Sequence, residues 1–193
     1  MRAFVAVDVP APELDGRPGG PLAPTHLTLL FLGDILDEQL PPLVASYRAV
    51  AAPRAPFEAR LARVGAFPSP ERPRVVWVGV DRGAPELTAL HDELARSSMV
   101  LGLEVDERPF VPHLTLFRVR GRRDVDRAAD LLARHSGTVF GSCQVGELLL
   151  KSSVLTEHGA VHSVRARLPL EGVGSEPREP GGVRCEESEP GGS

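Results

Sequence analysis

Residues 25–34 read THLTLLFLGD and residues 112–121 read PHLTLFRVRG, with the tetrapeptide His-Leu-Thr-Leu identical at 26–29 and 113–116. In a β-strand alternate side chains share a face, so His26 and Thr28 stand together, His113 and Thr115 stand together, and the leucines point the other way. Each strand therefore buries leucine and displays a His-Thr pair. One His-x-Thr on a strand is an ordinary half-exposed polar face. Two identical copies, each opening a strand and each followed by apolar residues, are an internal duplication. If the two halves pack about a pseudo-twofold axis, the two pairs meet in one cleft.

The segments around these motifs extend the pattern. Short runs rich in β-branched residues at 3–9, 26–32, 57–64, 74–80, 113–119, 146–152 and 161–168 predict strands. Apolar residues spaced by three and four predict helices at about 36–51 (Leu36, Leu40, Leu43, Val44, Tyr47, Val50), 84–99 (Leu87, Leu90, Leu94) and 123–135 (Val125, Ala128, Leu131, Leu132). Pro41 and Pro42 belong in the opening turn of the first, where a missing N–H costs little. From Glu171 onward the chain is Gly, Pro, Ser and Glu with few apolar residues, which cannot bury enough surface to offset the entropy of ordering. The expected organisation is one domain over 1–170 and a disordered acidic tail over 171–193.

Charge and composition exclude several classes of function. The net charge of −4 resides in the tail, which holds six glutamates and two arginines; the body carries twenty basic and twenty acidic residues. A neutral body does not coat long duplexes, because counterion release from many phosphates needs an excess of basic charge. A few phosphates at a nucleic-acid end remain within its reach. Every basic residue but Lys151 is arginine; codon bias is the ordinary reason, though guanidinium forks suit phosphate. No apolar run approaches the ~20 residues of a bilayer span, and the start MRAFVAVDVP has no secretory signal pattern, so a cytoplasmic protein without a membrane partner is expected. Cys143 and Cys185 are far apart in the sequence, which argues against a disulfide framework or a cysteine zinc site and fits reduced thiols. No Gly-rich strand-to-helix turn marks a dinucleotide or P-loop site.

Two imidazoles across a cleft make a general acid and a general base, because a pKa of ~6.5 leaves both protonation states accessible near neutrality. Threonine hydroxyls beside them can donate to phosphoryl oxygens. Neither motif has a carboxylate or cysteine within it, which disfavours a metal site or an activated nucleophile. Cleavage of a phosphodiester by acid-base chemistry, with no cofactor and no metal, suits these groups best.

The paired HLTL motifs, with FLG after the first and FVPHLTLFR around the second, resemble the 2H phosphoesterase superfamily, in its RNA 2',3'-cyclic phosphodiesterase branch, also called 2'-5' RNA ligases. The likeness extends through GAFPSPERPRVVWVGV at 65–80 and LLLKSSVLTEHGAVHSV at 148–164. The resemblance implies an α+β, bilobal fold of two pseudo-symmetric antiparallel sheets with outer helices and a central cleft. It implies His26 and His113 as catalytic residues, with His26 leaning to the acid role, and Thr28 and Thr115 as substrate-binding residues. Hydrolysis of RNA 2',3'-cyclic phosphate ends to 2'-phosphates follows, by a monomer acting on RNA ends such as tRNA fragments, or on small nucleotides. The alternatives are 2'-5' ligation and a non-catalytic module that binds RNA ends. The chain departs from the family in the interval ELDGRPGGPLAPT at 13–25, where relatives have a long helix and a Trp-bearing segment.

The remaining candidates carry less. Arg118 falls on the leucine side by strict alternation, so only a twist or bulge turns it to the cleft as a phosphate contact. Arg120, Arg122 and Arg123 read as a solvated turn, and Phe31 and Phe110 as core residues that could otherwise stack on a base. Trp77, inside VVWVGV, reads as a buried strand residue, and His91, His135, His158 and His162 as non-catalytic.

Overall fold

The computed structural model describes residues 1–12, 25–106, 108–157, 159–172 and 185–186. In chain order these form β1 (Arg2–Val9), β2 (Thr25–Asp34), a 3-10 turn (Asp37–Gln39), α1 (Leu40–Ala51), β3 (Phe57–Phe67), β4 (Val75–Arg82) and α2 (Ala84–Val100). Then come β5 (His113–Arg118), α3 (Arg122–Arg134), β6 (Val139–Val145), β7 (Glu147–Thr156), β8 (Gly159–Pro169) and β9 (Cys185–Glu186). All seven expected strands and all three helices are present. The prolines at 41 and 42 sit in the first turn of α1, as their lost N–H groups require. β6 is an addition to the expected strands: VFGSCQV is short of β-branched residues, and Gly141 within it adopts φ +113.

The strands make two antiparallel sheets, in the orders β2-β1-β7-β8 and β5-β4-β3-β6-β9. Setting aside the two-residue β9, the second order mirrors the first, with a motif strand at the edge of each. Those edges, β2 and β5, run beside each other with Cα atoms within 8 Å. Helix α1 lies against β7 and β8, α2 against both β2 and β4, and α3 against β3, so α2 spans the two sheets from behind. The result is the two-sheet α+β architecture that the family resemblance implies.

Alternation explains which faces are buried. Ala3, Val5, Val7 and Val9 of β1 join Val76, Val78 and Val80 of β4 in one core, together with Leu87, Leu90 and Leu94 of α2. The helices are joined by a buried polar bond: the Tyr47 hydroxyl donates to Ser98 Oγ at 2.6 Å, and Ser98 donates in turn to the Leu94 carbonyl at 2.7 Å. Such a bond contributes about 1 kcal/mol, and loss of one partner costs more because the other stays buried.

Of the segment expected to be a disordered tail, residues 173–184 and 187–193 lie outside the described residues, as do 13–24 of the shortened interval. The parts that are described have partners. The Gly172 N–H donates to the Arg54 carbonyl at 2.9 Å, and β9 runs along β6 with Cys185 directly opposite Cys143. The two cysteines, remote in the sequence, are thus backbone neighbours.

The sheet face bearing His113 is shaped by glycine. Gly65 pairs across the strands with Trp77, and a Cβ built on Gly65 would lie 2.2 Å from the indole ring. The ring lies flat over the bare backbone and touches Phe67 and His113, with centroids 5.1 and 6.2 Å away. Gly65→Ala should therefore push the indole off the sheet. The expected outcome is a shifted emission of this sole tryptophan and a destabilisation of roughly 1–3 kcal/mol from overpacking. Unchanged fluorescence and an unchanged denaturation midpoint would show that the ring does not depend on that glycine.

Candidate active site

Strand pairing alone determines what each motif displays. In β2 the register runs Asp8↔His26, Val7↔Leu27, Ala6↔Thr28 and then Val5↔Leu30, so Leu29 is an extra residue with no partner on β1. In β5 it runs Gly79↔His113, Val78↔Leu114, Trp77↔Thr115 and then Val76↔Phe117, so Leu116 is the extra residue. Each motif strand bulges at the residue following its threonine. A bulge inverts the alternation beyond it. Phe31 pairs with Phe4 and returns to the face of His26 and Thr28, while Arg118 pairs with Val75 and returns to the face of His113 and Thr115. Phe117 is correspondingly turned to the helix side, where the Arg127 guanidinium of α3 lies 4.8 Å from its ring centroid.

This geometry corrects two expectations from the sequence. Phe31 is not a core residue: it is 63% exposed, on the face of the first motif. Trp77 is not simply buried in its strand but half-buried on the face of the second motif. Phe110, in contrast, is packed as a core residue would be, stacked on His91 at 4.3 Å. His91 donates from Nδ1 to the Leu29 carbonyl at 2.7 Å, pinning the first bulge from behind. His135 contacts Thr138 and Phe140, away from both motifs, and His158 lies outside the described residues.

The two motif histidines are held differently. His113 Nδ1 lies 2.7 Å from the Val111 carbonyl, to which its N–H donates, so in the neutral ring Nε2 is the unprotonated nitrogen. Burial holds its pKa below the usual imidazole value, with the Val111 bond opposing. His26 is packed among rings: Phe4 at 5.1 Å, tilted, and His162 edge-on at 5.2 Å, with Phe4 and His162 themselves 5.0 Å apart. Burial first, then the Lys151 ammonium, then His162 push His26 down to about 4, against the opposing pull of Asp8. Lys151, only 6% exposed, is ion-paired with Asp8.

Sequence reasoning sets His162 aside and passes over Lys151 and Asp8. A signal for the charged pair is there, since AVDV and LLLKSS each place one lone charge in an apolar strand, which on burial must find an opposite partner. For His162 the signal is absent, because its approach to His26 depends on the neighbouring β7–β8 hairpin. A hollow of about 290 Å³ borders the second motif, lined by Arg63, Trp77, Gly79, Val111, Pro112 and Ser136 among others. Among the described residues no three His, Cys, Asp or Glu side chains cluster to hold a metal, and no helix is long and apolar enough to cross a membrane.

Comparison with known proteins places this arrangement. Residues 6–152 match the model of the 2'-5' RNA ligase superfamily. The RNA 2',3'-cyclic phosphodiesterase of Aeropyrum pernix is 36% identical over 137 residues, covering 71% of this chain and 77% of that one. The crystal structure of TT0787 from Thermus thermophilus superposes with a TM-score of 0.70 at 29% identity, covering 89% of this chain and 99% of that one. E. coli LigT in complex with 3'-AMP gives 0.65 at 26% identity, covering 88% and 97%. With the family model matched over most of its length and the same two-sheet fold in its structural neighbours, the chain belongs to the 2'-5' RNA ligase superfamily.

Proposed function

We propose that the protein hydrolyses RNA 2',3'-cyclic phosphate ends to 2'-phosphates, with His26 and His113 acting from opposite sides of one phosphoryl group. The observation that carries this is the placement of two His-Thr pairs, at identical register, on adjoining edge strands. The names of the curated relatives and the 3'-AMP bound by LigT support the substrate class.

One imidazole takes a proton from water as its oxygen attacks phosphorus in line with the 3'-oxygen. The P–O3' bond breaks, and the second imidazole protonates the departing oxygen, giving a 2'-phosphomonoester and a free 3'-hydroxyl. Thr28, Thr115 and Arg118 donate to the non-bridging oxygens, where negative charge gathers. Phe31, exposed on the first motif's face, offers a ring for a base to stack on, and the hollow lined by Trp77, Val111 and Pro112 gives further room near the second motif. RNA fragments, including those of tRNA, and small cyclic nucleotides all present this group.

The resemblance leans toward His26 as the acid, but the surroundings favour the reverse. A buried ammonium and a second imidazole beside His26 oppose a proton there, whereas the Val111 carbonyl favours one on His113. We therefore assign His26 as base and His113 as acid. A neutral His26 and a charged His113 are both required. Thus kcat/KM should fall as pH drops through about 4, where His26 gains a proton, and fall again as pH rises through a value below 6.5, where His113 loses one. A profile flat across that range would contradict the two-histidine reading.

Mutagenesis and leaving-group chemistry test the roles. His26→Ala and His113→Ala should each lose about 10²–10⁴ in kcat on a cyclic-phosphate oligonucleotide, with EDTA leaving the wild type unaffected. Thr28→Val and Thr115→Val should lose roughly 10². A phosphodiester with a 4-nitrophenolate leaving group needs no acid, so it should restore His113→Ala but not His26→Ala. Restoration of His26→Ala instead would reverse the assignment, and full activity of either alanine variant on the oligonucleotide would refute the mechanism.

A further inference from the structure

The reaction above needs His26 to meet its water at a fixed angle, yet among the described residues no hydrogen bond orients that ring. His113 has the Val111 carbonyl for this purpose. A catalytic base without an orienting partner is unusual, because the general pattern is a base held in turn by a third group. We propose that His162 is a positioning residue for His26, seated against it from β8 so that the plane of the catalytic ring is fixed by packing. The inference rests on the reading of His26 as a reacting imidazole.

The contacts carry the argument. His162 meets His26 edge-on, with ring planes at 86°, and meets Phe4 at 78°. Phe4 is itself almost fully buried and closes the third side against His26. Three mutually touching rings, one anchored in the core, leave His26 little freedom to turn about its ring torsion. Strand pairing brings His162 there: it lies opposite Ser153 of β7, which lies opposite Arg2 of β1, on the strand face that also carries Phe4.

The charges facing His26 explain why a ring rather than a cation suits the position. They are Asp8 from β1, Lys151 from β7 and His162 from β8. His162, exposed on its outer side, is itself lowered, by burial of its inner edge first and then by Lys151, which favours the uncharged ring at this position. Phenylalanine should therefore replace it, and alanine should not.

The test uses the full chain and the hydrolysis of a 2',3'-cyclic nucleotide, with kcat, KM and the pH profile recorded for each variant. His162→Ala should lower kcat by roughly tenfold or more at nearly unchanged KM, since small misplacement of a reacting group is costly. Its acidic limb should move up from about 4 toward 6.5, because His26 loses cover and a neighbouring imidazole. His162→Phe should recover kcat to within about threefold of wild type and keep the limb well below 6.5. A wild-type kcat and limb in His162→Ala, or equal losses in the Ala and Phe variants, would overturn the assignment. Should His26→Ala retain full activity, the failure would lie instead with the mechanism itself.

Discussion

Each motif strand carries an unmatched residue directly after its threonine, Leu29 in β2 and Leu116 in β5, and the composition of the site depends on that extra residue. Without the bulges, strict alternation would turn Phe31 and Arg118 toward the helices and put Leu30 and Phe117 on the motif faces in their place. With them, the position five residues after each histidine joins the face of the motif: an aromatic ring in one half and a guanidinium in the other. The duplicated scaffold thus becomes asymmetric where it would meet a substrate that is itself asymmetric, with a base at one end and a phosphate at the other. A bulge leaves backbone groups without ladder partners, at a cost of about 1–3 kcal/mol for each buried one left unpaired. At Leu29 the imidazole of His91 accepts that task, and Phe110, three residues before His113, stacks on it. The helix behind the sheets therefore touches the first motif's bulge and the approach to the second motif at one point.

Burial of charge beside one histidine gives the site a second asymmetry. Lys151 is the chain's only lysine, and it occupies a nearly inaccessible position, paired with Asp8 beside His26 on the same sheet face. A buried pair of this kind adds little net stability, because desolvation offsets attraction. At His26 burial acts first and the Lys151 ammonium adds to it while Asp8 opposes, whereas at His113 burial is opposed by the Val111 carbonyl, so the two histidines of one repeated tetrapeptide meet different electrostatic surroundings. Divergent proton affinities in a pair of like groups are the usual physical basis for dividing acid and base roles.

Much of this is legible in the sequence. The alternation in HLTL gives the displayed pair and the buried leucines directly, the spacing of Leu87, Leu90 and Leu94 gives α2, and the duplication gives the mirrored sheet orders. What cannot be read is whatever depends on register. Arg118 and Phe31 change face through an insertion relative to a strand that the sequence does not identify. Val139–Val145 escapes notice because its glycine and small polar residues carry no strand pattern, its pairing being supplied by β3. His162 escapes because a histidine without a threonine two residues on looks like any exposed strand residue, and its partner ring belongs to another part of the chain.

The account depends most on the two histidines acting on one phosphate. Its most direct test is a nitrogen-detected NMR titration of the imidazole side chains with a non-hydrolysable 2',3'-cyclic phosphate analogue. The expected result is that the signals of His26 and His113 shift together along a single isotherm with one ligand per chain. Movement of only one of them, or separate isotherms for the two, would contradict the shared phosphate and with it the duplicated motif as a catalytic pair.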